Sequence, residues 1–197
     1  MCEMTSRQRV YAAANHQEPD RVPICFSGHA ASGITECPPD YLLTSKLYEH
    51  LGIEGRSNGG LLVGATMTRR PDLYGAVICG VPLLDMKRYH KLLAGASWMA
   101  EYGDPDVPEE WEYIKKYSPY QNLARSVDYP AVFFYTSTRD DRVHPGHARK
   151  MAARMQEYGN EIWYYENMEG GHGGSSTNDQ LAYRLALAYT HLWTQLK

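Results

Sequence analysis

Gly55-Arg56-Ser57-Asn58-Gly59 sets a serine between two glycines, each two residues away. This spacing is that of a nucleophile elbow, a strained strand-to-helix turn that lifts a hydroxyl above the edge of a sheet. The small neighbours let the chain fold back on itself. The next backbone N–H, that of Asn58, then points at the oxygen on which negative charge develops during acyl transfer. A serine of this kind needs a base and a group that orients the base, and behind an elbow these follow in the order Ser, Asp, His. Asp140 and Asp141 come directly after an apolar run, and His172 lies in the glycine-rich stretch Glu169-Gly-Gly-His-Gly-Gly174. The chemistry implied is nucleophilic attack by Ser57 with His172 as general base, one of the two aspartates as orienter, and an acyl-enzyme intermediate.

The segments around these residues read as the supports such chemistry requires. The stretch from His50 to Glu54 is a short apolar run, expected as a strand, and Asn58 to Arg70 has helical spacing and ends before Pro71. Gly75 to Val81, Ala131 to Thr136 and Glu161 to Glu166 are further strand candidates. Between the last two, Gly146 to Gly159 repeats apolar residues at Ala148, Met151, Ala152 and Met155, and Ser176 to Lys197 is a long Leu- and Ala-rich helix. Strands alternating with helices imply an α/β fold with a mainly parallel sheet flanked by helices. The carboxyl ends of such strands are where active residues gather. Both the aspartate pair and His172 follow strands there.

Composition narrows the partners. A formal charge of −3 over 197 residues gives no basis for nucleic acid or an anionic membrane surface as a partner. No apolar run approaches a membrane span, and Glu3 stands where a signal peptide would turn apolar, so a cytoplasmic location is expected. Cys2, Cys25, Cys37 and Cys79 form no CxxC pair and read as free thiols. His144 and His147 make an H-x-x-H without a matching carboxylate cluster, so no metal or other cofactor is expected. Glu109 to Lys116 reads as a solvated helix face.

The stretches HLGIEGRSNGGLLVGA, GVPLLDMKRYHKLLAGASWMAEYGDP, YSPYQNL, RDDRVHPGHARKM and GGHGG make residues 44–197 resemble the C-terminal part of the catalytic domain of prolyl oligopeptidases. These are serine peptidases that combine an α/β-hydrolase domain with a β-propeller. The resemblance implies a truncated α/β-hydrolase fold and selects Asp140 over Asp141. It also implies that Arg142 holds a substrate carbonyl and that Trp98, Tyr102 and Val143 line a pocket for a proline ring. Read without the resemblance, Trp98 and Tyr102 are equally core aromatics, and Arg142 an ion pair with Asp141. Residues 4–53 resemble instead the N-terminus of the uroporphyrinogen decarboxylase and corrinoid methyltransferase superfamily, through SRQRV and PDRVP. The expected organisation is therefore chimeric, a segment 1–44 of unrelated origin packing on a hydrolase part 45–197.

Three functions are compatible with this reading. The first is a serine hydrolase (carboxylesterase) cleaving small esters, whose good leaving groups tolerate an incomplete oxyanion hole. The second is a peptidase acting on short proline-containing peptides. The third is an inactive, hydrolase-derived binding or assembly protein. The strand before Ser57 is expected at a sheet edge, and unpaired edges recruit a covering segment or a second chain, so a homodimer or larger homo-oligomer is expected.

Overall fold

A computed structural model describes residues 52–196. The expectations for the first 51 residues, including the chimeric N-terminal segment, lie outside the described residues.

Four parallel strands form one sheet in the order β1 (Gly52–Arg56), β2 (Ala76–Gly80), β3 (Ala131–Ser137) and β4 (Ile162–Asn167). The register runs evenly across it, with Ile53 opposite Val77, Val77 opposite Val132 and Val132 opposite Ile162. β2 and β3 are buried along their whole length, because a central parallel strand is covered on both faces; this is why both read as unbroken apolar runs. β1 is the end strand among the described residues. It runs to Arg56, two residues past the expected end, and delivers the chain directly into the turn at Ser57.

The two faces carry different helices. Val77, Cys79, Val132 and Phe134 pack with Val63 and Met67 of α1 (Asn58–Arg69) and with Met151, Ala152 and Met155 of the helix Gly146–Glu157. The alternate residues Ile78, Phe133 and Tyr135 turn to the other face and meet Ala188 of the C-terminal helix Asn178–Gln195. Between β2 and β3 lie short 3-10 turns at Tyr89–Lys91 and Leu93–Trp98, then α2 (Met99–Tyr102), α3 (Pro108–Ile114) and α4 (Pro119–Asn122). The two long helices after β3 are α5 (Gly146–Glu157) and α6 (Asn178–Gln195). In α5 the apolar positions are spaced three and four apart, as an amphipathic helix on a sheet requires. α6 begins with Thr177, whose hydroxyl accepts the Gln180 N–H at 3.2 Å.

The β1–α1 turn is tight, but not in the way the motif suggests. A β-carbon at Gly55 would sit 2.2 Å from the Gly59 carbonyl oxygen and 2.6 Å from a Val63 methyl. At Gly59 it would meet nothing within 4 Å. The second crowded position is instead Gly60, where it would fall 2.7 Å from Pro82 Cβ. The glycines that this turn demands are therefore 55 and 60. Gly55→Ala should cost about 3 kcal/mol or unfold the turn, whereas Gly59→Ala, early in a helix with open space, should stay within about 1 kcal/mol of the parent. Urea melts of the two variants check this, and equal losses would contradict it.

Candidate active site

Ser57 is the junction between β1 and α1, and its backbone has φ 55°, in the left-handed region that side chains other than glycine rarely adopt. Strain of this kind costs on the order of 1–3 kcal/mol and persists only where the surroundings enforce it. Here the enforcement is visible: Ser57 N–H donates to the Gly80 carbonyl at 3.0 Å, and the Ser57 carbonyl accepts from Leu61 N at 3.1 Å and Leu83 N at 3.4 Å. Val81, just past the end of the neighbouring β2, is also left-handed at φ 38°. Asn58 opens α1, so its N–H is one of the amides that a helix leaves unpaired at its start.

Asp140 follows β3, with its N–H bonded to the Ser137 carbonyl at 3.2 Å. Its carboxylate is buried, and Oδ1 accepts the backbone N–H groups of Arg142 and Val143, each at 2.9 Å. His172 Nδ1 lies 3.0 Å from Oδ1 and 2.9 Å from Oδ2. Burial alone would raise the Asp140 pKa; the hydrogen bonds from His172 and from the two amides outweigh it and hold the carboxyl below its usual range. An ionised carboxylate only accepts, so the His172 proton sits on Nδ1 and the lone pair on Nε2. That is the tautomer a general base needs. Asp141 is exposed and takes no part.

The loop bearing His172 is anchored from three elements. Asn167, at the end of β4, accepts Glu169 N–H at 2.9 Å and Gly170 N–H at 2.6 Å. Gln180 of α6 accepts from Ser176 N at 2.8 Å and from Asn167 Nδ2 at 2.9 Å. Arg56, the residue before the serine, donates Nη2 to the Gly173 carbonyl at 2.8 Å. This last bond ties the serine turn to the histidine loop. Ser57 Oγ and the His172 ring are not hydrogen-bonded among the described residues; in enzymes without substrate such bonds are often long and tighten on binding.

Trp98, Tyr102 and Val143 come together in one cluster with Leu61, Leu83, Met86, Tyr89, Ile114, Trp111 and Tyr117. Tyr102 meets Tyr89 edge-on with ring centroids 5.9 Å apart, and Tyr89 Oη donates to the Gly103 carbonyl at 2.5 Å. Two members touch the triad candidates through the backbone. Val143 N–H is bonded to Asp140, and Leu61 N–H to the Ser57 carbonyl. The Arg142 guanidinium is exposed and forms no ion pair with Asp141 among the described residues, so the ion-pair alternative is not what the fold builds.

The H-x-x-H residues are structural. His147 is buried on α5, and its Nδ1 accepts Asp85 N–H at 3.0 Å and Leu84 N–H at 3.3 Å. It thereby fixes the segment after β2 that carries Leu83 and Met86. Buried Asp85 in turn is held by Lys150, by Arg88 at 2.9 Å and by Gln121 at 2.6 Å. Among the described residues, His90, Asp104 and Asp106 bring potential ligand atoms within 4.8 Å of one another, but Asp106 is already matched by Lys91 at 2.7 Å and His90 at 3.1 Å. Cys79 is a buried free thiol whose pKa burial pushes up, so it is no nucleophile. No helix among the described residues is long and apolar enough to cross a membrane.

Residues 40–197 match the profile of the prolyl oligopeptidase family. The chain belongs to the prolyl oligopeptidase family. Its four parallel strands and flanking helices are part of the α/β-hydrolase fold of that family's catalytic domain. An uncharacterized peptidase of Sinorhizobium fredii is 45% identical over 192 residues, covering 98% of this chain and 24% of the relative, so the match reaches residues before 40 as well. A prolyl endopeptidase of Elizabethkingia meningoseptica is 44% identical over 142 residues, 70% of this chain and 20% of that protein. The solved structure of a post-proline cleaving enzyme from Rickettsia typhi superposes with a TM-score of 0.74 at 43% identity, over 76% of this chain and 22% of that one. The chain thus spans about a quarter or less of the length of the curated relatives it matches.

Asp140→Asn should slow labelling of Ser57 by a fluorophosphonate about 10³–10⁴-fold by reversing the tautomer of His172, while Asp141→Asn should leave it within about twofold. Mass spectrometry of the labelled serine peptide reads both rates, and equal effects would contradict the geometry. His147 yields a pH prediction. Burial lowers its pKa from 6.5 to about 4, so the stability that it contributes is complete above 6.5 and is lost as pH falls from there towards 4. In urea melts His147→Gln should flatten that part of the profile, and an unchanged acid limb would contradict the assignment.

Proposed function

We propose that this chain carries the catalytic centre of a serine peptidase that cleaves short peptides on the carboxyl side of proline. One observation supports this most directly: Val143 is shared between the Asp140 carboxylate and the aromatic cluster containing Trp98 and Tyr102. An apolar, aromatic surface is thereby attached to the triad by a backbone hydrogen bond. A proline ring is compact, apolar and, within a peptide, without an N–H, so burying it against Trp98 stabilises the complex without leaving a donor unpaired. Ser57 attacks the following carbonyl, His172 Nε2 takes the serine proton and returns it to the leaving amine, and Asp140 stabilises the imidazolium. The Asn58 N–H receives the oxyanion, and the exposed Arg142 guanidinium holds a second substrate carbonyl.

The relatives favour the peptide reading over the ester reading raised from sequence, since the named ones are prolyl endopeptidases and a post-proline cleaving enzyme. Activated esters remain chemically competent with the same serine. The test is hydrolysis of a blocked Gly-Pro anilide beside the corresponding Gly-Ala anilide and a matched ester, with Ser57→Ala alongside. The expected outcome is a kcat/KM for the proline substrate at least about 10²-fold above the alanine one, lost in Ser57→Ala, and lowered about tenfold or more by Trp98→Ala. Faster cleavage of the ester than of the Gly-Pro anilide would restore the esterase reading. Equal rates in parent and Ser57→Ala would leave a non-catalytic protein.

A further inference from the structure

Behind the His172 loop, on the face of the sheet covered by α6, polar atoms are buried that nothing in the site uses. Tyr135 Oη, Ser137 Oγ, Ser175 Oγ and Arg184 Nε are each enclosed and have no hydrogen-bond partner among the described residues. Tyr135 and Ser137 are two apart on β3 and so share a face. Arg184 lies one helical turn before Ala188, which packs on Tyr135, and only 3% of Arg184 is exposed. Its guanidinium carbon lies 4.3 Å from the centre of the Tyr135 ring, and that of Arg56 lies 5.9 Å from the same ring. Gly174 closes the space with a left-handed backbone, φ 79°, and a β-carbon there would fall 3.3 Å from Tyr135 Cε2 and 3.6 Å from Arg184 Nε. Arg184, the Tyr135 ring and the chain next to Ser175 therefore meet at one point.

The charge of this group is one-sided. The guanidinium is positive and only donates, while the three hydroxyls, which donate or accept, bring no negative charge. Arg184 forms no ion pair among the described residues, and the hydrogen bond of Arg56 goes to a neutral carbonyl. Glu54, whose charge also reaches the Tyr135 hydroxyl, is exposed and pairs with neither arginine. A buried cation without a counter-charge is strongly disfavoured, and a neutral water would satisfy the donors without supplying that charge.

We propose that Arg184, Tyr135 and Ser175 bind a small monoatomic anion of the halide class beneath the His172 loop, with Arg56 contributing a second positive charge. A monoatomic anion is the choice that asks for the least room, since Gly174 brings the backbone close to the tyrosine ring and Arg184 Nε. The ion would fasten the C-terminal half of the histidine loop to α6 and β3. It fulfils no chemical step, and its binding is readable without any substrate.

The test is thermal melting of the full chain in sodium chloride and in sodium gluconate at matched ionic strength. Chloride should raise Tm saturably, by about 3 °C at roughly ten times its dissociation constant, and gluconate should not. Arg184→Gln should abolish the difference. Should that variant not fold, Tyr135→Phe, which keeps the ring and removes one donor, should shift the chloride midpoint upward. Crystals soaked in bromide should show an anomalous peak beside Arg184 Nε. Superimposable melts of the parent protein in the two salts, a chloride response unchanged in Arg184→Gln, or bromide found only elsewhere would each overturn the proposal. Because the readout is melting, the outcome is independent of whether the chain cleaves proline peptides.

Discussion

The carboxylate of Asp140 is the interaction on which the site depends. It is buried, ionised and surrounded by donors: the imidazole of His172 and the amides of Arg142 and Val143. Taking a charge out of water is costly, and only this full set of hydrogen bonds makes it tolerable. The same requirement orders three pieces of chain at once. It holds the turn after β3 closed, fixes the tautomer of the histidine, and pins Val143 in the wall of the aromatic cluster. Had the carboxylate been solvated, none of these pieces would be obliged to meet.

A second constraint acts from the opposite side. The ends of β1 and β2 carry left-handed non-glycine residues, Ser57 and Val81, and both are held by bonds to the neighbouring strand, Ser57 N–H to Gly80 and Val81 N–H to Tyr135 at 2.7 Å. The parallel register thus stores strain at the carboxyl edge of the sheet, where a serine must stand clear of its own helix. Helix α1 accepts the strained entry because Gly55 and Gly60 leave room for the Gly59 carbonyl and for Pro82.

Much of this was legible in the residues. β2 and β3 read correctly because burial on both faces leaves an unbroken apolar run, and α5 because its period survives between polar residues. The triad candidates could be named because their junctions are local: a motif, an aspartate after a strand, a histidine among glycines. The supports were not legible, because their partners are distant in sequence. Arg56 reaches Gly173 across 117 positions, and nothing local marks it as a clasp. Asn167 and Gln180 look like ordinary polar residues until their bonds to the histidine loop are seen. The role of His147 was not legible either, because the two backbone N–H groups that it accepts lie 63 and 62 positions away. Between β2 and β3, α3 was legible as the helix face at Glu109 to Lys116, whereas α2, α4 and the two 3-10 turns were missed, since turns of three to six residues carry too little periodicity to show.

Under the proposed function, the double attachment of Val143 divides the pocket into walls of different evolutionary freedom. Any side chain at this position that shifts the backbone also shifts the acceptor geometry of Asp140, so selectivity and rate are inherited together on that wall. The opposite wall, the 93–102 segment with Trp98 and Tyr102, has no hydrogen bond to Asp140, His172 or Ser57 among the described residues. It can be recut without disturbing the reactive groups. Divergence in what such a fold recognises should therefore accumulate along 93–102, and efforts to redirect it by design belong there too.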